Sequence, residues 1–155
     1  MHALLLALLL ATPDAANATA QREMGKALFK QGRVDEAIAR FEEAVRLNPS
    51  DAVAWYDLAY ARRQAEKFEP AAAAYRMYTA LAPEDPDGYF GLAESLRHSG
   101  KAADAVAAYT AYISKENRPS ERKWIAQAKR WIEELKPPPP PAANAAPAPD
   151  VLLRR

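Results

Sequence analysis

Few residues in this chain are equipped for covalent or metal chemistry. His2 and His98 are its only histidines and it has no cysteine. Thiolate nucleophiles, disulfides, zinc ribbons and a histidine-rich metal site are therefore excluded. There is no phosphate-binding glycine loop and no His-Glu-x-x-His. The carboxylate pairs Glu42-Glu43 and Glu133-Glu134 are adjacent, so on helices they diverge around the axis and cannot share a proton. His98 falls at a helix end, where an imidazolium meets the dipole favourably, and that role suffices. No catalytic site, metal or cofactor is expected, and the chain reads as a non-enzyme. What remains is recognition. Arg22, Lys26 and Lys30 step by four and so form a basic stripe along one helix face. Tyr56, Tyr60 and Phe90 offer aromatic area at low entropic cost, which suits a binding surface.

The elements that hold these residues follow from an internal repeat. Ala37, Ala71 and Ala105 recur at a step of 34, as do Phe41, Tyr75 and Tyr109. Met24, Leu58 and Leu92 keep the same step, each followed by a small residue: Gly25, Ala59 and Ala93. Gln21, Trp55 and Tyr89 share a column, and Pro49 and Pro83 fall one period apart. A fixed period of this size means stacked supersecondary units rather than one globular core. Each unit reads as two helices. Asn17 or Thr19 is the expected cap of the first, which Gly32 ends. Further helices are expected near 34–47, 52–65, 68–81, 86–98 and 102–114. A final helix over 120–135 carries Trp124, Ala128, Trp131 and Leu135 on one stripe and reads as the cap of the array. The small columns let paired helices approach, and the large aromatics fill the gap beyond. Tyr78 and Tyr112 are expected to fill space beneath the final helix.

Length and composition agree with this organisation. The chain has 155 residues and a formal charge of +1, without the basic excess a nucleic-acid binder needs. Residues 1–17 form a signal-peptide-like segment with an uncharged apolar run from Ala3 to Ala11. The run is too short to cross a bilayer, and Ala16-Asn17-Ala18 and Ala18-Thr19-Ala20 offer small-x-small cleavage patterns. No Lys or Arg precedes the run, so a hydrophobic helix packing on the repeats is the alternative. Membrane contact is expected only through this run, and only if it is retained. Residues 18–136 form the repeat domain, with units 18–51, 52–85 and 86–119 and a capping helix 120–136. Residues 137–155 form a Pro/Ala-rich tail. Its proline run sets a polyproline II spacer, and it ends in the apolar-then-basic Val151-Leu152-Leu153-Arg154-Arg155.

These columns resemble the tetratricopeptide repeat (TPR) family over about residues 18–117. The resemblance implies an all-α helix-turn-helix solenoid of about seven helices. It also implies a concave groove, lined by the first helix of each unit, that takes an extended segment or helix of a partner. The groove-facing positions of the family fall on Arg22, Lys26, Phe29 and Lys30, then Tyr56, Tyr60, Arg63 and Gln64, then Phe90, Glu94, Arg97 and His98. A partner segment with apolar anchors and acidic residues is expected. The carboxylate clamp of chaperone-binding members would fall on Arg22, Lys26, Asp57, Asp87 and Gly91. Two of these are acids that repel a carboxylate, so that subtype is excluded. The expected role is an exported, periplasmic adaptor or scaffold. The alternatives are a cytoplasmic chaperone-like protein and a self-associating structural protein.

Overall fold

The computed structural model describes residues 13–137. The helices are α1 (Pro13–Lys30), α2 (Val34–Leu47), α3 (Ala52–Gln64), α4 (Phe68–Leu81), α5 (Pro86–His98), α6 (Ala102–Lys115) and α7 (Arg122–Leu135). A 3-10 turn, Pro119–Glu121, leads into α7. Each helix packs on the next, and α1 touches α3 as α3 touches α5. The result is an all-α solenoid of three helix pairs closed by α7.

Chemistry at the turns sets the helix boundaries. Asp51 caps α3 by accepting from the Ala54 N–H at 3.1 Å, and Asp85 caps α5 by accepting from the Asp87 N–H at 2.9 Å. Each first helix ends at one repeat-related residue in the left-handed region: Gly32 at φ 77°, Glu66 at 57° and Gly100 at 76°. The amide after each returns to the carbonyl five residues earlier, as in Arg33 to Leu28, Lys67 to Arg62 and Lys101 to Leu96. Only the second unit makes this turn with a side chain that disfavours it.

The two aromatic columns do different work. Phe41, Tyr75 and Tyr109 are all at most 2% exposed and lie in the core, as the repeat predicts. A Cβ on Gly25 would stand 2.6 Å from the Phe41 ring, so this pair of helices needs a glycine to close. Gly91 lets α5 approach the Tyr75 ring in the same way. Trp55 and Tyr89 instead tie each unit to the turn before it. The Trp55 indole donates to the Pro49 carbonyl at 2.8 Å, and the Tyr89 hydroxyl donates to the Pro83 carbonyl at 3.1 Å. The aromatic and proline columns therefore recur together. Repeat-related ion pairs, Lys67 with Asp35 at 2.7 Å and Lys101 with Glu69 at 3.1 Å, bridge successive second helices.

The two ends of the array differ. Leu58 and Leu92 are 1% and 9% exposed beneath the preceding unit, whereas Met24 in the same column is 46% exposed on α1. At the far end α7 buries Ala128 and half-buries Ile125, Trp131, Ile132 and Leu135. Lys123, Lys129, Arg130 and Glu134 remain outside.

Three sequence expectations need correction. Asn17 and Thr19 do not cap α1, which starts at Pro13, where a missing N–H costs little. Thr19 lies inside the helix and donates from its hydroxyl to the Ala15 carbonyl at 3.1 Å. The last helix starts at Arg122 rather than Ser120, because Arg118 to Glu121 turn more tightly. Buried Glu116 anchors that turn by accepting from the Arg118 amide at 2.8 Å and from its guanidinium. Finally, Tyr78 does not lie under α7. Its ring fills the space over Gly88, and its hydroxyl donates to Asp85. The apolar run Ala3–Ala11 and the tail from 138 lie outside the described residues, while both small-x-small triplets fall within α1. Among the described residues no helix is long and apolar enough to cross a membrane.

Candidate functional site: the concave groove

The groove is built where α1 and α3 run side by side. Gly25 draws α2 close, so the ring of Phe41 forms a floor between them. Phe29 and Lys30 come from the last turn of α1, and Tyr56, Asp57 and Tyr60 from the middle of α3. With Lys26 these residues line an open, largely apolar cavity of about 360 Å³.

Its walls are aromatic and mutually braced. Phe29 and Tyr60 meet at 5.6 Å between ring centroids, and Tyr56 stacks parallel to Tyr60 at 6.5 Å. Tyr56 is held from behind by edge contacts to Tyr75 at 5.9 Å and Tyr78 at 5.0 Å. The Arg63 guanidinium lies 5.4 Å over the Tyr60 ring. Lys26 spends its charge on Glu23, donating to both carboxylate oxygens at 3.1 and 3.2 Å. That bond holds the Glu23 carboxyl below its ordinary value. Lys30 is exposed at the rim.

Asp57 has a distinct electrostatic setting. Burial pushes its carboxyl above the ordinary value, against the pull of Arg22 and Lys26. Its Oδ2 is buried without a hydrogen-bond partner, and so are the Nε atoms of Arg22 and Arg63. Beyond Tyr56 the groove continues into a second recess of about 220 Å³ lined by Val53, Tyr56, Tyr78, Asp85 and Asp87. The surface thus runs from basic at the end of α1 to acidic at the start of α5.

Of the residues expected from sequence, the structure brings Lys26, Phe29, Lys30, Tyr56 and Tyr60 into one cavity, with Arg63 over Tyr60. Arg22 does not line the cavity; it is half-buried, 3.9 Å from Asp51 and near enough to act on Asp57. Gln64 is exposed on the last turn of α3. Phe90, Glu94 and Arg97 belong instead to the junction with α7. Phe90 sits among Tyr112, Trp124 and Trp131, at 5.1, 5.7 and 6.3 Å. Arg97 lies 4.7 Å over the Trp131 ring and donates to Glu94 and to the Tyr109 hydroxyl, which itself donates to Glu94. His98 stacks on Phe68 at 4.7 Å. The capping helix has therefore taken over the third unit's share of the groove. Sequence reasoning overlooked Asp57 and Phe41 as lining. Nothing in their types signals that role, since one sits in a position judged only for clamp chemistry and the other in a core column.

The chain's relatives agree with this architecture. A tetratricopeptide repeat family model matches residues 22–86 and 61–121. No curated protein sequence matches the chain. Among solved structures it resembles the TPR2B domain of yeast Sti1 in complex with an Hsp70 peptide, at TM-score 0.69 and 21% identity. That match covers 78% of this chain and 99% of the other. It also resembles the first TPR domain of Spaghetti bound to an HSP90 peptide, at 0.67 and 22%, over 77% and 95% of the two chains. A third likeness is the Yersinia enterocolitica type III secretion chaperone SycD in complex with a peptide of the translocator YopD. It scores 0.67 at 17% identity, over 76% and 90%. With the family model spanning well over half of its length, this chain belongs to the tetratricopeptide repeat family.

Proposed function

We propose that the chain is a non-catalytic adaptor that holds a short segment of a partner protein in the groove between α1 and α3. The observation that carries this reading is the open aromatic cavity of Phe29, Phe41, Tyr56 and Tyr60 with Lys30 free at its rim. Structural relatives solved in complex with peptides support it. The cavity takes one large apolar side chain, and Lys30 and Arg63 favour an acidic neighbour on the segment. Because α7 closes the third unit, the recognised stretch is short, anchored in the first two units. The setting we propose is extracytoplasmic, in a bacterial-type envelope, on the strength of the apolar run and the small residues that follow it.

Selection from a random peptide library displayed on phage, with the full chain as bait, tests the binding role. Enrichment of an aromatic or leucine anchor beside Asp or Glu is expected. Affinity should fall about tenfold in Tyr60→Ala, in line with loss of one anchoring contact worth roughly 1.4 kcal/mol. Lys30→Glu, at an exposed position, should weaken binding without disturbing the fold. Enrichment that is equal for the wild-type and Lys30→Glu chains would overturn the assignment of the groove. The intact mass of the native protein tests the setting: loss of about the first 16–20 residues is expected.

A further inference from the structure

The groove changes sign along its length, and one stretch of this chain has the complementary order. From its basic edge the groove presents Lys30 and Arg63, then the aromatic cavity with Asp57 in its wall, then the recess of Asp85 and Asp87. Asp85 and Asp87 already hold the Tyr78 hydroxyl and Arg118, which leaves the recess two carboxylates against one guanidinium, while Asp57 faces Arg22 and Lys26 with its Oδ2 free of hydrogen bonds. Residues 150–155 read Asp-Val-Leu-Leu-Arg-Arg: acid, apolar, basic. Entering at the basic edge, this segment sets Asp150 by Lys30, Leu152 or Leu153 in the cavity, and Arg154 and Arg155 by Asp57, facing the acidic recess beyond.

The architecture delivers the segment to that edge. Trp124 and Trp131 of α7 face Phe90 and Arg97 of α5 in the same order, so α7 runs parallel to the first helix of the unit before it. Leu135 therefore ends on the side of the array where Lys30 and Gln64 end. First helices spaced by about 8–10 Å put the cavity roughly 20–25 Å from that point. Residues 137–150, rich in proline, span about 40 Å at the polyproline rise. The lengths within the groove also match. By the repeat step Asp57 is level with Glu23, about 10 Å along the axis from Lys30 and one helix spacing across, a separation of about 14 Å, and residues 150–155 cover about 16 Å when extended.

We propose that residues 150–155 dock in the concave groove of their own chain, as an internal ligand that a partner must displace. This regulation rests on the adaptor reading above. At an effective concentration of about 1 mM, set by the tether, a tail that alone binds with a Kd of about 0.1 mM weakens partner binding about tenfold.

The absence of cysteine makes the test clean, since Ala148→Cys in the full chain gives a single site for a nitroxide spin label. The amide signals of Lys26, Phe29, Lys30 and Tyr60 should lose intensity several-fold, and L152E/L153E should restore them. Equal intensities with and without that double substitution would overturn the proposal. So would broadening that appears when labelled chains are mixed with separately isotope-labelled ones, because that places the tail on a second copy. A second measurement separates this proposal from the adaptor reading. Phage-selected peptides should bind L152E/L153E about tenfold more tightly than the wild-type chain. Equal affinity sinks the internal ligand and leaves the adaptor intact, whereas tail-dependent broadening with no peptide enriched sinks the adaptor and leaves the docking.

Discussion

Glu66 carries the clearest single-residue conflict in the molecule. It stands at φ 57° in the turn that its repeat mates make with Gly32 and Gly100. A side chain costs about 1–2 kcal/mol in that region, and glycine returns part of the gain as unfolded-state entropy. Glu66→Gly should therefore raise stability by about 1 kcal/mol, and Gly100→Ala should lower it by a similar amount, both read from denaturant midpoints. Gly91 makes the opposite demand. A Cβ there would enter the ring of Tyr75, which is 1% exposed and has nowhere to move. Gly91→Ala should cost about 1–3 kcal/mol as overpacking, whereas an unchanged midpoint would mean that the two helices can separate freely.

The junction of α5 and α6 with α7 is where the elements are most interdependent. Trp131 stacks on Tyr109 at 5.3 Å and carries Arg97 on its face. Trp131→Ala should cost about 3 kcal/mol and raise hydrogen exchange in α7 before the first unit responds, as expected of a linear array. Sequence columns alone gave the helix pairs, their order and the core aromatics, because packing between units imposes one period on every column. They did not give the fate of Phe90, Glu94 and Arg97. Those positions follow the groove pattern of the first two units, but what covers them is α7, which lies outside the repeat. Its position depends on Pro119, two residues beyond the place one period after Pro83, and on buried Glu116 gathering Arg118. No column could show that. Nor does the repeat reveal that Asp57 lines the cavity, because its carboxylate is defined by the rings around it.

Across the whole molecule, acid response is set by carboxylates held in ion pairs. The hydrogen bond from Arg118 keeps the Glu116 carboxyl below the ordinary value of 4.5, so the folded chain takes up that proton less readily than the unfolded one. The contribution of Glu116 is therefore full above about pH 4.5 and is lost as pH falls through the lowered folded value. Asp57 has the opposite sign: burial raises its carboxyl, so it favours the unfolded chain once both states have ionised. Glu116→Gln should lower stability at neutral pH and flatten the fall on acidification. Asp57→Asn should raise stability near neutrality and narrow the gap as pH drops below 4, with thermal midpoints across pH 3–7 as the readout.

The unequal ends of the array carry a further consequence for its size. On α1, Met24 is exposed where Leu58 and Leu92 are covered, while the outer face of α7 is charged. Among the described residues the solenoid is therefore one-ended: the α1 face is built to take another unit, and the charged outer face of α7 is not. Duplicating residues 52–85 in front of α1 should lengthen the protein as a cooperative, more stable array. The same duplication behind α7 should add only an unfolded appendage.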